Sequence, residues 1–494
     1  MIGGWNAGFL TSAIIILGLL IDFVIRVIAI IVVPRNRRPT SATAWLLAIN
    51  FIPYIGALVF LLIGSYKLPK NRRAKQAQIN QFIVDQTEGM ERVRRDHPWP
   101  GWFEQVVRLN RNLGSMPLVG GNSAQIITEY QQSFVEMIHA IDKAERFVHV
   151  EFYIFTLDPM TEPFFDALER AVKRGVVVRV LLDHIANLRK SGYKKTLRRL
   201  DAIGAQWQLM LPIRPFRGQY QRPDLRNHRK LVVVDGEVGF MGSQNVIDPG
   251  YNKASNERRG LVWKELVLRL DGPAVAGLNA IFITDWYVET DELLAREARP
   301  VEPVFLAPPR EEIDCQLVPS GPGFPHENNL RLFLPLLYYA QERIIITSPY
   351  FVPDESILAA IMTAIERGVH VELFVSEIAD QWLVYHAQRS YYEQLLDAGV
   401  VIWMYRAPVI LHAKHFTIDD EVAVVGSSNM DIRSFQLNCE ISLMVRGKHF
   451  VEELREVEQS YREHSRQLTK EEWAQQPMRS TIADNLARLT SALQ

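Results

Sequence analysis

The sequence predicts an α/β protein of two pseudo-symmetric α/β lobes packed together, preceded by an N-terminal two-helix transmembrane hairpin. Three observations predict it. The apolar residues of this 494-residue, 48% hydrophobic chain crowd into its first 65 positions. Beyond them the order strand, helix, Arg-Gly, strand occurs twice. Each occurrence leads to the same short polar motif.

From Ala7 to Val33 the chain is almost wholly apolar, interrupted by Asp22 and Arg26 and closed by Pro34-Arg35-Asn36-Arg37-Arg38. Ala42 to Ile63 carries no charge and is followed by Lys67, Lys70, Arg72, Arg73 and Lys75. A helix needs about 20 apolar residues to cross a bilayer, so residues 1–66 read as a hairpin with spans over 7–33 and 42–64. A cleaved signal peptide fits poorly, because the first stretch lacks a basic start and exceeds the usual ~7–15 apolar residues. Pro53 and Gly56 interrupt the second stretch, which leaves a re-entrant or interfacial segment as its alternative. Asp22 and Arg26, four apart, neutralise each other on one helix face. The larger basic cluster lies beyond the second stretch and places the main domain on the cytoplasmic side. It also attracts anionic headgroups, at roughly 1 kcal/mol per cation near the surface.

Residues 67–121 read as a polar, basic juxtamembrane connector, with Trp99 and Trp102 either at the lipid interface or in ordinary packing. The first lobe covers 122–298. Its strand, read over Ala144–Phe155, leads to an amphipathic helix, Phe164 to Arg174, then to a strand from Gly175 to Asp183. The second lobe, 324–494, repeats the order with a stretch Ala340–Phe351, a helix from Ser356 to Arg367 and a strand from Gly368 to Val375. Helical stretches then lead to Gly204 and Gly399, and the alternation implies parallel pairing inside each lobe. Residues 299–323 contain Pro300, Pro303, Pro308, Pro309, Pro319 and Pro322 and read as a linker. The last 45 residues read as helix.

A formal charge of −1 gives no field that would gather nucleic acid, so an anionic partner needs a local patch. The two cysteines, Cys315 and Cys439, exclude a disulfide framework and a Cys-x-x-Cys metal site. No phosphate-binding loop, dinucleotide fingerprint or Gly-x-Ser-x-Gly elbow occurs.

The repeated motif is His, any residue, Lys, four residues, Asp: His228, Lys230 and Asp235, then His412, Lys414 and Asp419. Six residues after each Asp begin Gly242-Ser243-Gln244-Asn245 and Gly426-Ser427-Ser428-Asn429. On a strand each His and Lys share a face, while the aspartates point away and take an orienting or structural part. An ammonium beside each imidazole repels a metal and suits an anion. Two lysines, with the hydroxyls of Ser243 and Ser427 and the amides of Asn245 and Asn429, would surround a phosphate with donors. Imidazole can attack phosphorus or protonate a leaving oxygen, and two histidines supply both actions. The catalytic set is therefore read as His228, Lys230, Asp235, His412, Lys414 and Asp419, with no cofactor and no metal. His149, His184, His370 and His415 read as structural.

With these motifs the chain resembles the phospholipase D superfamily over roughly 122–445, and within it the bacterial cardiolipin synthases. The narrower resemblance adds the N-terminal spans, Arg226-Asn-His-Arg-Lys230, Trp263-Lys-Glu265, Asp271-Gly-Pro273, Ser320-Gly-Pro322 and Ser348-Pro-Tyr-Phe-Val-Pro-Asp354. It implies two phospholipase D-like lobes and a multi-pass protein of the bacterial inner or plasma membrane. Its substrates would be phosphatidylglycerol and other anionic phospholipids, with no nucleic acid as partner. The implied reaction has two steps: His228 attacks one phosphatidylglycerol while His412 protonates the departing glycerol, then a second phosphatidylglycerol takes the phosphatidyl group to give cardiolipin. The two histidines can exchange these roles. Glu265 and Glu440 match the acids that orient the histidines, although Asp is usual at the first. A hydrolytic phospholipase D, a phosphatidylserine synthase-like headgroup exchanger, a nuclease of the superfamily and an inactive membrane scaffold are the rival readings.

Overall fold

The structure is a computed structural model that describes residues 3–35, 37–65, 67–87, 99–214, 216, 220–294 and 312–489. It divides into two units, residues 1–67 with 222–224, and the remainder.

The first unit is built on α1 (Gly3–Val32), whose stretch Thr11–Val32 is long and apolar enough to cross a membrane. Asp22 and Arg26 pair at 2.9 Å along it. The second apolar stretch is not one span-length helix. It consists of α2 (Pro39–Phe51) and α3 (Pro53–Ile63), each shorter than the ~30 Å a crossing requires at 1.5 Å per residue. Pro53 cannot donate the bond that would continue α2, and Ile52 breaks the helix at φ −136°, ψ 74°. The two short helices then fold back on each other. Trp45 meets Phe60 edge to face at 5.4 Å, and a Cβ at Gly56 would stand 2.7 Å from the carbonyl oxygen of Ala48. Arg37 donates to the carbonyl of Gly64, so the chain leaves α3 close to where it entered α2.

The second unit is organised by a sixteen-stranded sheet. From its middle outward, the first lobe contributes Leu118–Ile127, Val267–Asp271, Val238–Gly242, Lys230–Val234, Phe147–Phe152, Val177–Asp183 and Gln206–Met210. In the opposite direction run Ile313–Ser320, Asn438–Arg446, Val422–Gly426, His415–Ile418, Arg343–Thr347, His370–Ser376 and Val401–Tyr405. The two orders are the same, and the lobes join antiparallel through Leu118–Val119 and Cys315–Gln316.

Along each of these two runs the last three strands are parallel to one another, as expected for strands separated by helices. The inner strands are antiparallel, and in each lobe a tight turn links one adjacent pair of them. One such turn follows Val234, where three residues precede its partner Val238 and the first two, Asp235 and Gly236, take φ of 55° and 76°.

Two expected features differ from what is observed, and the open reading of the two connector tryptophans is decided. Residues 299–311 lie outside the described residues, but the rest of the expected linker holds the strand Ile313–Ser320, a central one. Pro319 is tolerated there because the neighbouring strand begins pairing only at Gln316, so no ladder bond is lost on that side. The C-terminal stretch is not all helix, since Ser465–Leu468 pairs antiparallel with Val401–Tyr405 and forms the sheet edge. The connector's tryptophans are packed: Trp102 stacks on Tyr339 at 5.3 Å and Trp99 meets Phe103 edge-on.

Candidate active site

Both motif histidines sit on short extended segments that reach across to the other lobe. Arg226–Asn227 pairs in parallel with Asn438–Cys439, and the N–H of His228 donates to the carbonyl of Cys439 at 2.8 Å. In the mirror arrangement Val409–Leu411 pairs with Val262–Lys264, and the N–H of His412 donates to Lys264 at 2.7 Å. These ladders bring each histidine beside a glutamate of the opposite lobe. His228 Nδ1 lies 3.0 and 3.1 Å from the Glu440 oxygens, and His412 Nδ1 lies 2.9 Å from both oxygens of Glu265. Glu265, one methylene longer than the usual Asp, thus makes the same contact as Glu440.

The serines brace these glutamates. Ser427 donates to Glu440 Oε2 and accepts from the N–H of Ile441, and Ser243 bonds to Glu265 and accepts from Leu266. Glycine before each serine permits this closeness: a Cβ at Gly242 or Gly426 would stand 2.2 Å from the carbonyl oxygen of Leu266 or Ile441.

The amides are occupied as well. Asn245 accepts from Ile154 and donates to the Tyr251 hydroxyl at 2.9 Å, which bonds Glu265 Oε1 at 3.2 Å. Asn429 donates to Asp431 at 3.1 Å. The four Ser and Asn residues were expected to donate to phosphate. Here Ser243 and Ser427 contact the acids that face the histidines, because the Gly-Ser peptide is pressed against the strand that carries each glutamate, Asn245 reaches Glu265 through Tyr251, and Asn429 bonds Asp431 instead.

The lysines remain to meet an anion. Lys230 and Lys414 are buried, and each Nζ bonds the carbonyl of its own motif histidine at 2.5 Å. Burial pushes Lys230 down to about 7 and Lys414 to about 8, against the pull of Glu265 and Glu440. Burial likewise takes His228 down to about 4, with Glu440 opposing and both lysines adding to the fall. His412 is lowered for the same reasons, with Glu265 as the opposing acid. That each lysine acts on both imidazoles marks one shared electrostatic site. Burial alone would raise the two glutamates, but their histidine and lysine neighbours hold both below the ordinary carboxyl value.

Asp235 and Asp419 belong to a different structure. Asp235 accepts from the N–H groups of Glu145, Arg146 and Phe147, all at 2.8 Å, and Asp419 accepts from Gln341, Glu342 and Arg343. They tie each hairpin turn to the start of the adjacent strand and do not touch the histidines. Their inclusion in the catalytic set is corrected accordingly: seven residues past His, each lies at the far end of its strand.

Several residues carry weight that the sequence did not signal. Tyr153 stands edge-on to His228 at 4.9 Å, while Tyr251 and Tyr350 flank His412 at 6.4 and 6.2 Å. Arg229, buried and paired with Asp285, donates to the carbonyl of Glu440 at 3.1 Å and so fixes the backbone of the acid behind His228. The available signal was that the motif copies differ here, with Ala413 at the matching position. Of the other histidines, His149 is sandwiched between Phe147 and Phe282, and His415 is buried beside Glu458. His184 accepts from the N–H of Ile213, and His370 lies beside Glu372 at 3.4 Å.

A family described as cardiolipin synthase, PLD-like domain, matches residues 137–286 and 333–461, both motif copies included. The chain belongs to this family. A second family, described as phospholipase D-nuclease N-terminal, matches residues 24–65. The cardiolipin synthase of Geobacillus kaustophilus is 31% identical over 94% of this chain and 91% of its own length. Cardiolipin synthase A of Proteus mirabilis is 31% identical over 93% of this chain and 94% of its own. Among solved structures, the phosphatidylserine synthase of Haemophilus influenzae superposes with a TM-score of 0.59 at 14% identity, covering 79% of this chain and all of that one. That likeness is one of fold alone.

Proposed function

We propose that this membrane-anchored protein is a phosphatidyltransferase that makes cardiolipin and glycerol from two molecules of phosphatidylglycerol. The observation that carries the reading is the crossed pairing His228–Glu440 and His412–Glu265 around two buried lysines. His228 Nε2 attacks phosphorus, forming a P–N bond as the P–O bond to glycerol breaks, and His412 gives that oxygen its proton. The glycerol hydroxyl of a second phosphatidylglycerol returns a proton to His412 and attacks phosphorus, which frees His228. Glu440 supports the cationic ring formed on His228, and Glu265 supports the proton carried by His412. Lys230 and Lys414 regain full charge beside a phosphodiester anion and offset its charge. One phosphodiester replaces another, so no nucleotide is consumed.

In the bacterial plasma membrane α1 makes the crossing, while α2 and α3 dip in and return. This puts Arg35, Arg37, Arg38 and the basic residues from Lys67 onward on the cytoplasmic side, with the catalytic unit following them.

Incubation of the purified protein with phosphatidylglycerol tests the reaction, with one glycerol expected per cardiolipin. Phosphatidic acid without cardiolipin would make it a hydrolase. Competition with serine and ethanolamine tests the acceptor, and exclusive use of either would make it a headgroup exchanger.

A further inference from the structure

We propose that the C-terminal helix Met478–Arg488, together with the first turn of the helix Trp382–Arg389, forms a second membrane contact that holds the mouth of the site on an anionic lipid surface. The proposal rests on the lipid-transfer reading and names the surface the site works on.

The C-terminal helix has two opposed faces. Asp484 is buried and fastens one of them to the helix Trp382–Arg389: it lies 2.5 Å from His386 Nδ1 and 3.3 Å from Arg389 Nε. Arg389 also reaches Ser480 at 3.2 Å, and Ala487 is buried on the same side. At about 100° per residue, Met478, Ile482 and Leu486 form a stripe roughly 160° away from that anchored face. They point outward, 79%, 53% and 60% exposed, and Leu489 just beyond the helix is 81% exposed. Single exposed apolar residues need no explanation, but a stripe maintained over three turns opposite a buried ion pair does.

The occupant this stripe fits is a bilayer. Within the helix Met478, Ile482 and Leu486 recur only at every fourth position, without the second row that the seam of a packed partner helix calls for. Arg479 borders it with the charge that an anionic headgroup layer attracts. The helix to which it is fastened begins with Trp382, 65% exposed, the residue type that settles at lipid–water boundaries, followed by exposed Leu383. The residues just before Trp382 reach the site itself: Asp380 accepts from the Tyr350 hydroxyl at 2.9 Å, and the Tyr350 ring flanks His412. The apolar rim is thus linked through two helices to the side chains around the reacting phosphate.

The test uses the full chain. Ile482→Cys is labelled with a polarity-sensitive fluorophore, the native Cys315 and Cys439 being buried. The protein is reconstituted into vesicles of equal parts phosphatidylcholine and phosphatidylglycerol. The expected result is a blue-shifted emission, quenched by lipids that carry a spin label near the headgroup. The double variant Ile482→Glu, Leu486→Glu is expected to raise KM for vesicle phosphatidylglycerol by about tenfold, the factor that ~1.4 kcal/mol represents. Its turnover of a short-chain, monomerically dissolved phosphatidylglycerol should stay unchanged. A label that lipid quenchers do not reach, or energy transfer between labels that persists without lipid, overturns the proposal, the second result indicating a second copy of the chain. Equal loss on both substrates in the glutamate variant also overturns it. Failure of the unmodified protein to make cardiolipin refutes the transfer reading instead, since the quenching is read independently of activity.

Discussion

Replacing Glu440 by Gln removes one negative charge at nearly constant size, directly behind the imidazole assigned to attack phosphorus. In the native site both carboxylate oxygens lie within 3.1 Å of His228 Nδ1, in a buried setting with a donor from Ser427. A hydrogen bond to a charged partner contributes about 1.5–3 kcal/mol, and this one strengthens as the ring becomes cationic on phosphorylation. Loss of that interaction alone lowers the rate by about 10- to 150-fold at 1.4 kcal/mol per factor of ten. The amide can also turn its NH2 toward Nδ1, which forces the proton onto Nε2, the nitrogen that must attack. A wrong tautomer carries the loss toward about 10⁴-fold, the effect known when the carboxylate of a catalytic triad becomes an amide.

The assay is single-turnover formation of the phosphoenzyme, then of cardiolipin, from labelled phosphatidylglycerol. A donor with a nitrophenol leaving group separates the two acids, because that group departs without a proton. Glu265→Gln should recover its first step with this donor, and Glu440→Gln should not. The opposite pattern would exchange the roles of His228 and His412. A Glu440→Gln rate within about threefold of the native one would refute the orienting role altogether, since that corresponds to less than 1 kcal/mol.

Asp235→Ala strands three backbone N–H groups and should cost about 3 kcal/mol in denaturant unfolding, with activity per folded molecule retained; a large activity loss at unchanged stability would return the aspartate to the chemistry. In the free enzyme His228 loses its proton near pH 4, while Lys230 and Lys414 lose theirs near 7 and 8. The profile of kcat/KM should therefore rise as His228 deprotonates near pH 4, fall first as His412 loses the proton it donates, below the ordinary imidazole value, and fall again as the lysines discharge through 7 to 8; an alkaline limb near the ordinary lysine value of about 10 would contradict the buried, phosphate-facing ammoniums. Arg35→Cys and Ser65→Cys should react with a membrane-impermeant maleimide from the same side of sealed vesicles. Reaction from opposite sides would mean that α2 and α3 open into one full crossing.

The duplicated lobes were legible because periodicity and the motif are local. Strand, helix and strand boundaries in both lobes fall within a few residues of the spacing-based reading, since buried β-branched runs and Arg-Gly helix ends are short-range signals. What the sequence withheld is register. Nothing local to Glu440 says that it faces His228, 212 residues away, because that follows from the ladder between Asn227 and Cys439. The glutamate partners of the serines were hidden for the same reason, since they lie on a strand whose approach only the bare backbones of Gly242 and Gly426 permit. Proline density hid the strand Ile313–Ser320, and composition alone could not tell a straight span from α2 and α3 folded at Pro53.

The exchange of acids between lobes has a consequence for assembly. Neither lobe holds a complete relay: the first owns His228 but supplies its carboxylate to His412, and the second does the converse. A chain severed between residues 299 and 311 should therefore yield two inert fragments that become active only on mixing. An ancestral single lobe would have had the same dependence on a twin, so duplication within one polypeptide converts a concentration-dependent encounter into a permanent one.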